Sequence, residues 1–554
     1  MTTIMQVGDA AVAVRVTGDS TAALIARVRA VAAALESARI RGTVDVVPSP
    51  DAVTVVYDPL RIEGAAAFTA AVAARVEAVA GAAAFAAAAR HEIPVAYGGP
   101  HGPDLDAVCA AQGIDHRRLV ALHTEPDYLV QSIGFLPGFA YLAGLPAALE
   151  TPRRATPRAK VPRGSVGIGG GFTGVYPFAS AGGWNIVGAS PARLFDADRS
   201  PPARLAVGDR VRFIEIDPAG LESSADGESA VRAAGRSGEA GPAIEVVKPG
   251  LWTTIQDLGR PGRRAAGVPL SGAADPVALR LANLLVGNPE DAAGLEFTLT
   301  APELRFTHDA VIAVCGGGFS GIPRARPVRV AAGTLVAPGH ATRGCRGVMA
   351  VAGGVAVEPV LGSRSTLVAA GIGGLDGRPL AAGDRVPLGS AEVDGDGGWS
   401  LDPAVLGDAG APCVLRMIPG EHAHAFGDAI WSATHRASSR SDRMGLRLEG
   451  TPFEHAAAVA AAAMTSVAVL PGTVQVPPDG RPIVLLADAQ TIGGYPVIGH
   501  VITADLPRAA QVRPGGIVRW QRCTVDEAHA ALRDRETRIE TVRRGLAARL
   551  RRHT

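Results

Sequence analysis

A chain of 554 residues is too long for one hydrophobic core, and its 47% apolar, 19% charged and 4% aromatic content describes globular domains with interiors of Ala, Val, Leu and Ile. A formal charge of +1 supplies no field to recruit nucleic acid or an anionic membrane surface, so small molecules and other proteins are the expected partners. Five cysteines (Cys109, Cys315, Cys345, Cys413, Cys523) lie far apart without C-x-x-C spacing, which offers no zinc site and suits a reducing compartment.

The N-terminus has no basic stretch leading into an apolar one. Residues 64–89 are Ala-rich and long enough to span a bilayer, but Arg75 and Glu77 sit in their middle. A surface helix and a cytoplasmic protein are therefore expected. Residues 1–95 read as a small α/β domain: a strand at AAVAVRV, a helix from Ser20 to about Ala38, strands at VDVVP and AVTVVYDP, the Ala-rich helix, then EIPVAY. That β-α-β-β-α-β order predicts a ferredoxin-like unit. From 96 to 217, Gly and Pro punctuate short apolar runs, which predicts a barrel of short strands. Residues 218–242 are small, polar and aperiodic, the composition of a flexible linker.

The second half, 243–530, resumes the turn-rich style and is expected to form two β-rich subdomains, so the fold class is mainly β with α/β. It is interrupted by a helical DPVALRLANLLVG, in which Asp275 and Pro276 suit N-cap and N1. Residues 531–554 carry Ile539, Val542, Leu546 and Leu550 at helical spacing among arginines, which predicts an amphipathic tail helix.

An internal repeat runs through this order. RLAVGDRVRF (204–213), PLAAGDRVPL (379–388) and QVRPGGIVRW (511–520) align without gaps, each reading as a closing hairpin. Upstream, GSVGI (164–168) answers GTVQV (472–476), and GGWNIVG (182–188) answers GGYPVIG (493–499). A β module therefore recurs on both sides of the linker.

Gly169, Gly171 and Gly174 satisfy G-x-G-x-x-G, but the following VYPFASAGGW starts no helix to face a pyrophosphate, so these are turn residues of the β module. Lysine occurs at Lys160 and Lys248, neither preceded by Gly, which excludes a Walker A loop. Neither lies between methionines in a hairpin, so no covalently bound biotin is expected. His422 and His424 lack companions at metal-ligand spacing, and no metal site is expected. What remains are polar clusters: Gln256, Asp257 and Arg260 in TIQDLGR; Arg364 in GSRST; Asp442, Arg443 and Arg447 in SDRMGLRLEG; Asp488, Gln490, Thr491 and Tyr495 in ADAQTIGGYP. Singly each suits a salt-bridged turn; together they suit a cleft for a planar amide or carboxylate, which Arg forks and Gln amides bind bidentately. Gln475 of the recurring GTVQV joins them, and in the first half the matching loop nominates Tyr176 and Trp184.

Through YGGPHGPDL, IGFLPGFAYLAGLP, VPRGSVGI, TGVYPFASAGGWNIVG and VGDRVRF, residues 4–217 resemble the allophanate hydrolase subunit 1 family. Residues 244–530 resemble subunit 2 through GLWTTIQDLGRPGRRAAGVPLSGAADPVALRLANLLVGNPEDAAGLEF, GSRST, SDRMGLRLEG, PGTVQVPPDGRPIVLLADAQTIGGYP and ADLPRAAQVRPG. The resemblance implies cyclophilin-like β-barrels and a small N-terminal α/β domain, in halves that commonly occur as separate bacterial proteins and are fused here. It further implies the B and C subunits of an ATP-dependent 5-oxoprolinase, which with a separate A-type subunit opens 5-oxo-L-proline to L-glutamate using ATP with Mg2+. In that reading Arg260, Arg364 and Arg443 clamp anions, Asp257 or Asp488 acts as acid/base or as a metal-facing carboxylate, Gln256, Gln490 and Tyr495 orient the ring, and Gln475 and Thr491 join them in binding substrate. The alternatives it leaves open are a urea carboxylase-like carboxyltransferase module served by a separate biotin carrier, and a protein-binding regulator of a histidine kinase. Homo-oligomerisation is also left open. Phe172 and Ala181 depart from the Gln and Pro usual in the family, which bears on the first-half site.

Overall fold

The computed structural model describes residues 2–79, 88–222, 241–391, 400–406, 412–454, 458–459 and 465–550. It begins with an antiparallel pair of strands, Thr2–Val7 and Ala11–Val16. Ser20 caps the helix Thr21–Ala38, its hydroxyl accepting from the Ala23 N–H at 3.2 Å. Strands Thr43–Pro48 and Ala52–Tyr57 and the helix Ala65–Val79 follow. The four strands form one antiparallel sheet in the order first, second, fourth, third. Val12, Val14, Val53 and Val55 on that sheet pack against Val28, Val31, Leu35 and Phe68 of the helices.

The order is thus β-β-α-β-β-α, and this corrects the sequence reading in two places. EIPVAY belongs to the strand Arg90–Tyr97, which leaves the small domain and runs parallel to Arg210–Glu215 in the layer beyond. Its expected place is taken by Thr2–Val7, an edge strand with no fully buried residue, whose pattern carries little hydrophobic alternation. The Ala-rich helix is present from Ala65 to Val79; residues 80–87 lie outside the described residues.

Two closed barrels of seven strands follow. The first uses Arg90–Tyr97, Tyr128–Ile133, Ala140–Ala143, Ser165–Gly169, Phe172–Val175, Asn185–Ala189 and Arg210–Glu215. The second uses Cys413–Pro419, Thr434–Ala437, Gly445–Glu449, Thr473–Gln475, Ile483–Leu485, Val497–Val501 and Ile517–Arg522. Around both walls the neighbours run first, sixth, fourth, fifth, third, second, seventh, and the seventh closes onto the first as a parallel pair. The sequence repeat is therefore a duplicated barrel. Its GD or GG turns share a left-handed glycine, with φ of 88° at Gly208, 88° at Gly383 and 79° at Gly515. They are not hairpins, because the residues before each turn form no strand; each turn launches a strand that pairs with the first strand of its own unit.

Between the barrels, residues 241–391 form a four-stranded and a five-stranded sheet around Ile244, Leu295, Phe297, Leu304, Phe306 and Ile312. Asp275 caps the helix Pro276–Leu285, accepting from the Ala278 N–H at 2.9 Å. The tail helix starts earlier than expected, spanning Val525–Leu550, and it is docked: Ile539 packs with Leu281 and Leu285, and Arg280 grips both oxygens of Glu536 at 2.8 and 2.7 Å. Of the linker expected at 218–242, residues 223–240 lie outside the described residues.

The two halves interlock. Asp9 of the small domain accepts from the backbone N–H and hydroxyl of Thr503 at 2.9 and 3.0 Å, and its carbonyl lies 2.7 Å from His529 Nε2 in the tail helix. Asp45 accepts from the Gly262 N–H at 3.0 Å beside buried Arg264, whose pKa burial brings down to about 10 against the pull of Asp45.

Each barrel also buries neutral histidine. His123 lies 2.7 Å from the Tyr97 hydroxyl and 2.8 Å from the Thr173 hydroxyl, and burial pushes its pKa down to about 3. His435 and His500 are held at about 4 for the same reason. An unfolded histidine protonates near 6.5 while these stay neutral, so stability is full above that pH and falls as pH drops through it. The urea midpoint is expected to be lower at pH 5 than at pH 7.5, with His123 alone contributing up to ~2 kcal/mol of the difference. Equal midpoints would remove the effect.

Candidate functional site

The duplicated barrels carry one loop pair that the two copies use differently. In the second barrel, Gln475 ends the strand Thr473–Gln475 and Tyr495 stands in the loop before Val497–Val501. Together with Gln490, Met444, Arg440, Arg447 and Arg481 they line a groove of about 330 Å³. Gln475 is its buried floor, and Tyr495, 45% exposed, stands at its mouth. A Cβ at Gly493 would come within 2.6 Å of Gln475 Nε2, so the glycine lets that amide lie against the backbone. Gln475 Nε2 makes one long hydrogen bond, 3.4 Å to the Tyr495 carbonyl. The groove thus offers side-chain amides, a phenol and three guanidiniums, which outnumber the carboxylates of Glu449 and Asp479 that also line it, a donor set for a small carboxylate that also bears an amide.

In the first barrel the matching positions are Gly167 and Trp184. Trp184 folds over Gly167 and Gly169, and it packs edge-on to Phe139 at 5.4 Å and Tyr141 at 5.8 Å. Tyr176 joins this cluster, only 2% exposed, and burial pushes its hydroxyl up to about 12. The first barrel's counterpart of the groove is therefore filled by aromatic rings. Tyr176→Phe is therefore expected to leave small-molecule binding by the chain unchanged within about twofold, measured by calorimetric titration; a larger loss would return that residue to the site.

Behind the groove lies a buried ionic cluster. Arg443 donates to both oxygens of Asp488 at 2.8 and 3.0 Å, to the Gly272 carbonyl at 2.6 Å, and to Glu296. Burial opposes the charge of Arg443, but the carboxylates of Asp488 and Glu296 outweigh it and hold the pKa above its ordinary value. The segments around this pair contribute residues both to the cluster and to the groove. Arg443 points to the cluster while Arg440, Met444 and Arg447 line the groove, and Asp488 points to the cluster while Gln490 and Tyr495 line the groove. The salt bridge thereby fixes two groove walls relative to each other.

The remaining nominated residues sit deeper. The Asp257 carboxylate accepts from the hydroxyls of Ser363 and Ser365 at 2.6 and 2.5 Å, and from the N–H groups of Gly259 and Arg364 at 2.8 and 2.6 Å. It ties TIQDLGR to GSRST, and its acceptor capacity is spent within that tie. Arg364 Nε donates to the Val357 carbonyl at 2.8 Å, and Arg260 donates to the carbonyls of Ser365 and Val360. Burial lowers the Arg260 pKa, with Asp257 and Asp488 pulling the other way. Gln256 donates to Thr254 and Thr366 at 3.0 and 3.2 Å. Gln256 Oε1, Arg260 Nη1, Ser271 Oγ and Thr491 Oγ1 are buried without a hydrogen-bond partner, which leaves unspent polar capacity around the cluster.

The structure thus brings Gln475, Gln490 and Tyr495 together, sets Arg443, Asp488 and Thr491 behind them with Asp257, Arg260, Arg364 and Gln256 beyond, and places Tyr176 and Trp184 apart. Sequence reasoning missed Arg440 and Arg481 in the groove and Glu296 in the cluster. A single carboxylate inside the apolar run GLEFT was the available signal for Glu296. Among the described residues no three His, Cys, Asp or Glu groups are placed to hold a metal ion; His422 Nδ1 instead accepts from the Val497 N–H at 3.1 Å.

Residues 266–522 match the model of the carboxyltransferase domain, subdomains A and B, and residues 2–205 match that of subdomains C and D. The chain is 38% identical over 313 residues to the C-type subunit of 5-oxoprolinase from Escherichia coli (strain K12), a match covering 54% of this chain and 96% of that one. It is 53% identical over 126 residues to the B-type subunit of 5-oxoprolinase from Haemophilus influenzae, covering 23% of this chain and 59% of that one. The crystal structure of TTHA0988 superposes with a TM-score of 0.77 at 33% identity, over 92% of this chain and 99% of that one. Both halves therefore also lie in one chain there.

Proposed function

Because the chain belongs to the carboxyltransferase-domain family, with its C–D subdomains ahead of its A–B subdomains, we propose that it is a fused B and C component of an ATP-dependent 5-oxoprolinase. With a separate A-type subunit it opens 5-oxo-L-proline to L-glutamate. The observation that carries this reading is the groove of the second barrel: Arg440, Arg447 and Arg481 suit the substrate carboxylate, while Gln475, Gln490 and Tyr495 suit the lactam N–H and carbonyl. A lactam resists hydrolysis because its amide is resonance-stabilised, and phosphorylation of its oxygen by ATP supplies a better electrophile. The part of this chain is to orient the ring and neutralise the carboxylate. Arg443 and Asp488 act as positioning residues for the groove walls.

A second reading, transfer of a carboxyl group to an amide from a separate biotin carrier, is favoured by the family model's description and by a 29% identical match to the urea amidolyase of Saccharomyces cerevisiae, of which this chain covers 18%. Mixing the purified chain with an A-type subunit and measuring 5-oxoproline-dependent ADP release decides between them. Release of ADP with stoichiometric glutamate supports the first; no release, together with carboxyl transfer from a biotinylated carrier, reverses the order.

A further inference from the structure

A second cavity, of about 370 Å³, lies between the helix Pro276–Leu285, the strands Ala310–Phe319 and Ala341–Val351, the short helix Leu506–Ala510 and the tail helix. It shares no lining residue with the groove. Arg324, Arg343, Arg416, Arg508, Arg535 and Arg538 line it against three aspartates. Those aspartates are already engaged. Arg416 takes both oxygens of Asp505 at 2.6 and 2.9 Å, Arg538 pairs with Asp534 at 2.7 Å, and Asp275 accepts from the Ala278 N–H and the Gln511 amide at 2.9 and 2.7 Å.

Two of the cations are poorly matched. Arg508 comes no nearer to Asp505 than 4.0 Å; Arg535 stands 3.7 Å from Glu536 and its Nη1 donates only to the carbonyls of Thr503 and Ala504, at 3.1 and 3.4 Å; and Nε of each is buried without a hydrogen-bond partner. Burial lowers the pKa of Arg324 and of Arg535, the expected cost of holding cations away from water without full counter-charge. Gln511 and the apolar residues Val277, Val405, Leu406 and Pro507 complete the wall. Guanidinium forks that converge on one cavity and outnumber its carboxylates match the several oxygens of a phosphate chain.

We propose that this cavity binds the phosphate chain of a small ligand, either a nucleotide or free polyphosphate. The inference deepens the ATP-coupled reading by giving phosphate a location, and rests on that reading only for the nucleotide. The test is calorimetric titration of the full chain with ATP, inorganic tripolyphosphate and citrate, repeated for Arg508→Gln and Asp534→Asn. Asp534 is solvent-exposed on the tail helix, so its substitution frees Arg538 without disturbing the core. Tripolyphosphate or ATP is expected to bind, at least about fivefold more weakly to Arg508→Gln and more tightly to Asp534→Asn. Binding of ATP alone identifies a nucleotide, and equal binding of both identifies the phosphate chain itself. Citrate binding as tightly as tripolyphosphate, no binding of either phosphate, or affinities unchanged by Arg508→Gln overturns the proposal. ADP release with an A-type subunit, alongside phosphate affinities unchanged in Arg508→Gln, would sink this inference and leave the proposed function standing; phosphate binding without 5-oxoproline turnover would do the reverse.

Discussion

Arg443→Ala is expected to lower the unfolding free energy by about 3–5 kcal/mol, because it strands two carboxylates in a buried site. Arg443 itself is 6% exposed, Glu296 2% and Asp488 8%, so water cannot replace the guanidinium without opening the structure between the central sheets and the second barrel. Its removal also frees the Gly272 carbonyl, which accepts from Arg443 at 2.6 Å. Urea denaturation of the intact chain measures the loss. Adding Glu296→Gln and Asp488→Asn to the Arg443→Ala background should recover part of it, since the neutral amides no longer repel each other. A loss below about 1 kcal/mol would mean that the cluster is solvated and does not hold the groove walls.

Gln475→Leu should separate function from folding. Leucine is similar in size to the glutamine it replaces and suits a position that is 1% exposed, so stability is expected to change by less than about 1.5 kcal/mol. The amide at the groove floor is lost, however, and a substrate amide that leaves water for this site then finds no partner. On the order of a 100-fold fall in kcat/KM for 5-oxoproline-dependent ADP release is expected in the reconstituted enzyme. An unchanged kcat/KM would take Gln475 out of substrate recognition and leave the groove without its floor contact.

The legible parts of this molecule are those in which local chemistry and packing agree. The Asp275-Pro276 start of its helix, the barrels' turn glycines and the repeat across the linker are readable because each encodes backbone geometry in a few adjacent residues. The strand Arg90–Tyr97 falls in a different layer from the expected one because its partner, Arg210–Glu215, lies over a hundred residues along, and apolar alternation does not say which sheet a strand joins. The helices Leu105–Gln112 and His116–Thr124 are hidden between turn residues, although Asp115 caps the second by accepting from the Arg118 N–H at 2.7 Å. At the site, the motifs mark the segments 441–450 and 487–496, but not which residues face which way. The path of the turn between them places Arg447 in the groove and Arg443 in the cluster, and only the fold reveals it.

The interlock of the halves bears on why they share one chain. A lone first half would present Asp9 and Asp45, and a lone second half Arg264 and Thr503, groups whose partners come from the other side. As separate chains they would have to meet by diffusion, at a rate that falls with dilution, before those buried charges were paired. Tethering them raises the effective concentration of each for the other to the order of millimolar and fixes the stoichiometry at one to one. Translation of a single message then delivers an assembled pair, and no orphan half is left to expose charged surface to aggregation or proteolysis.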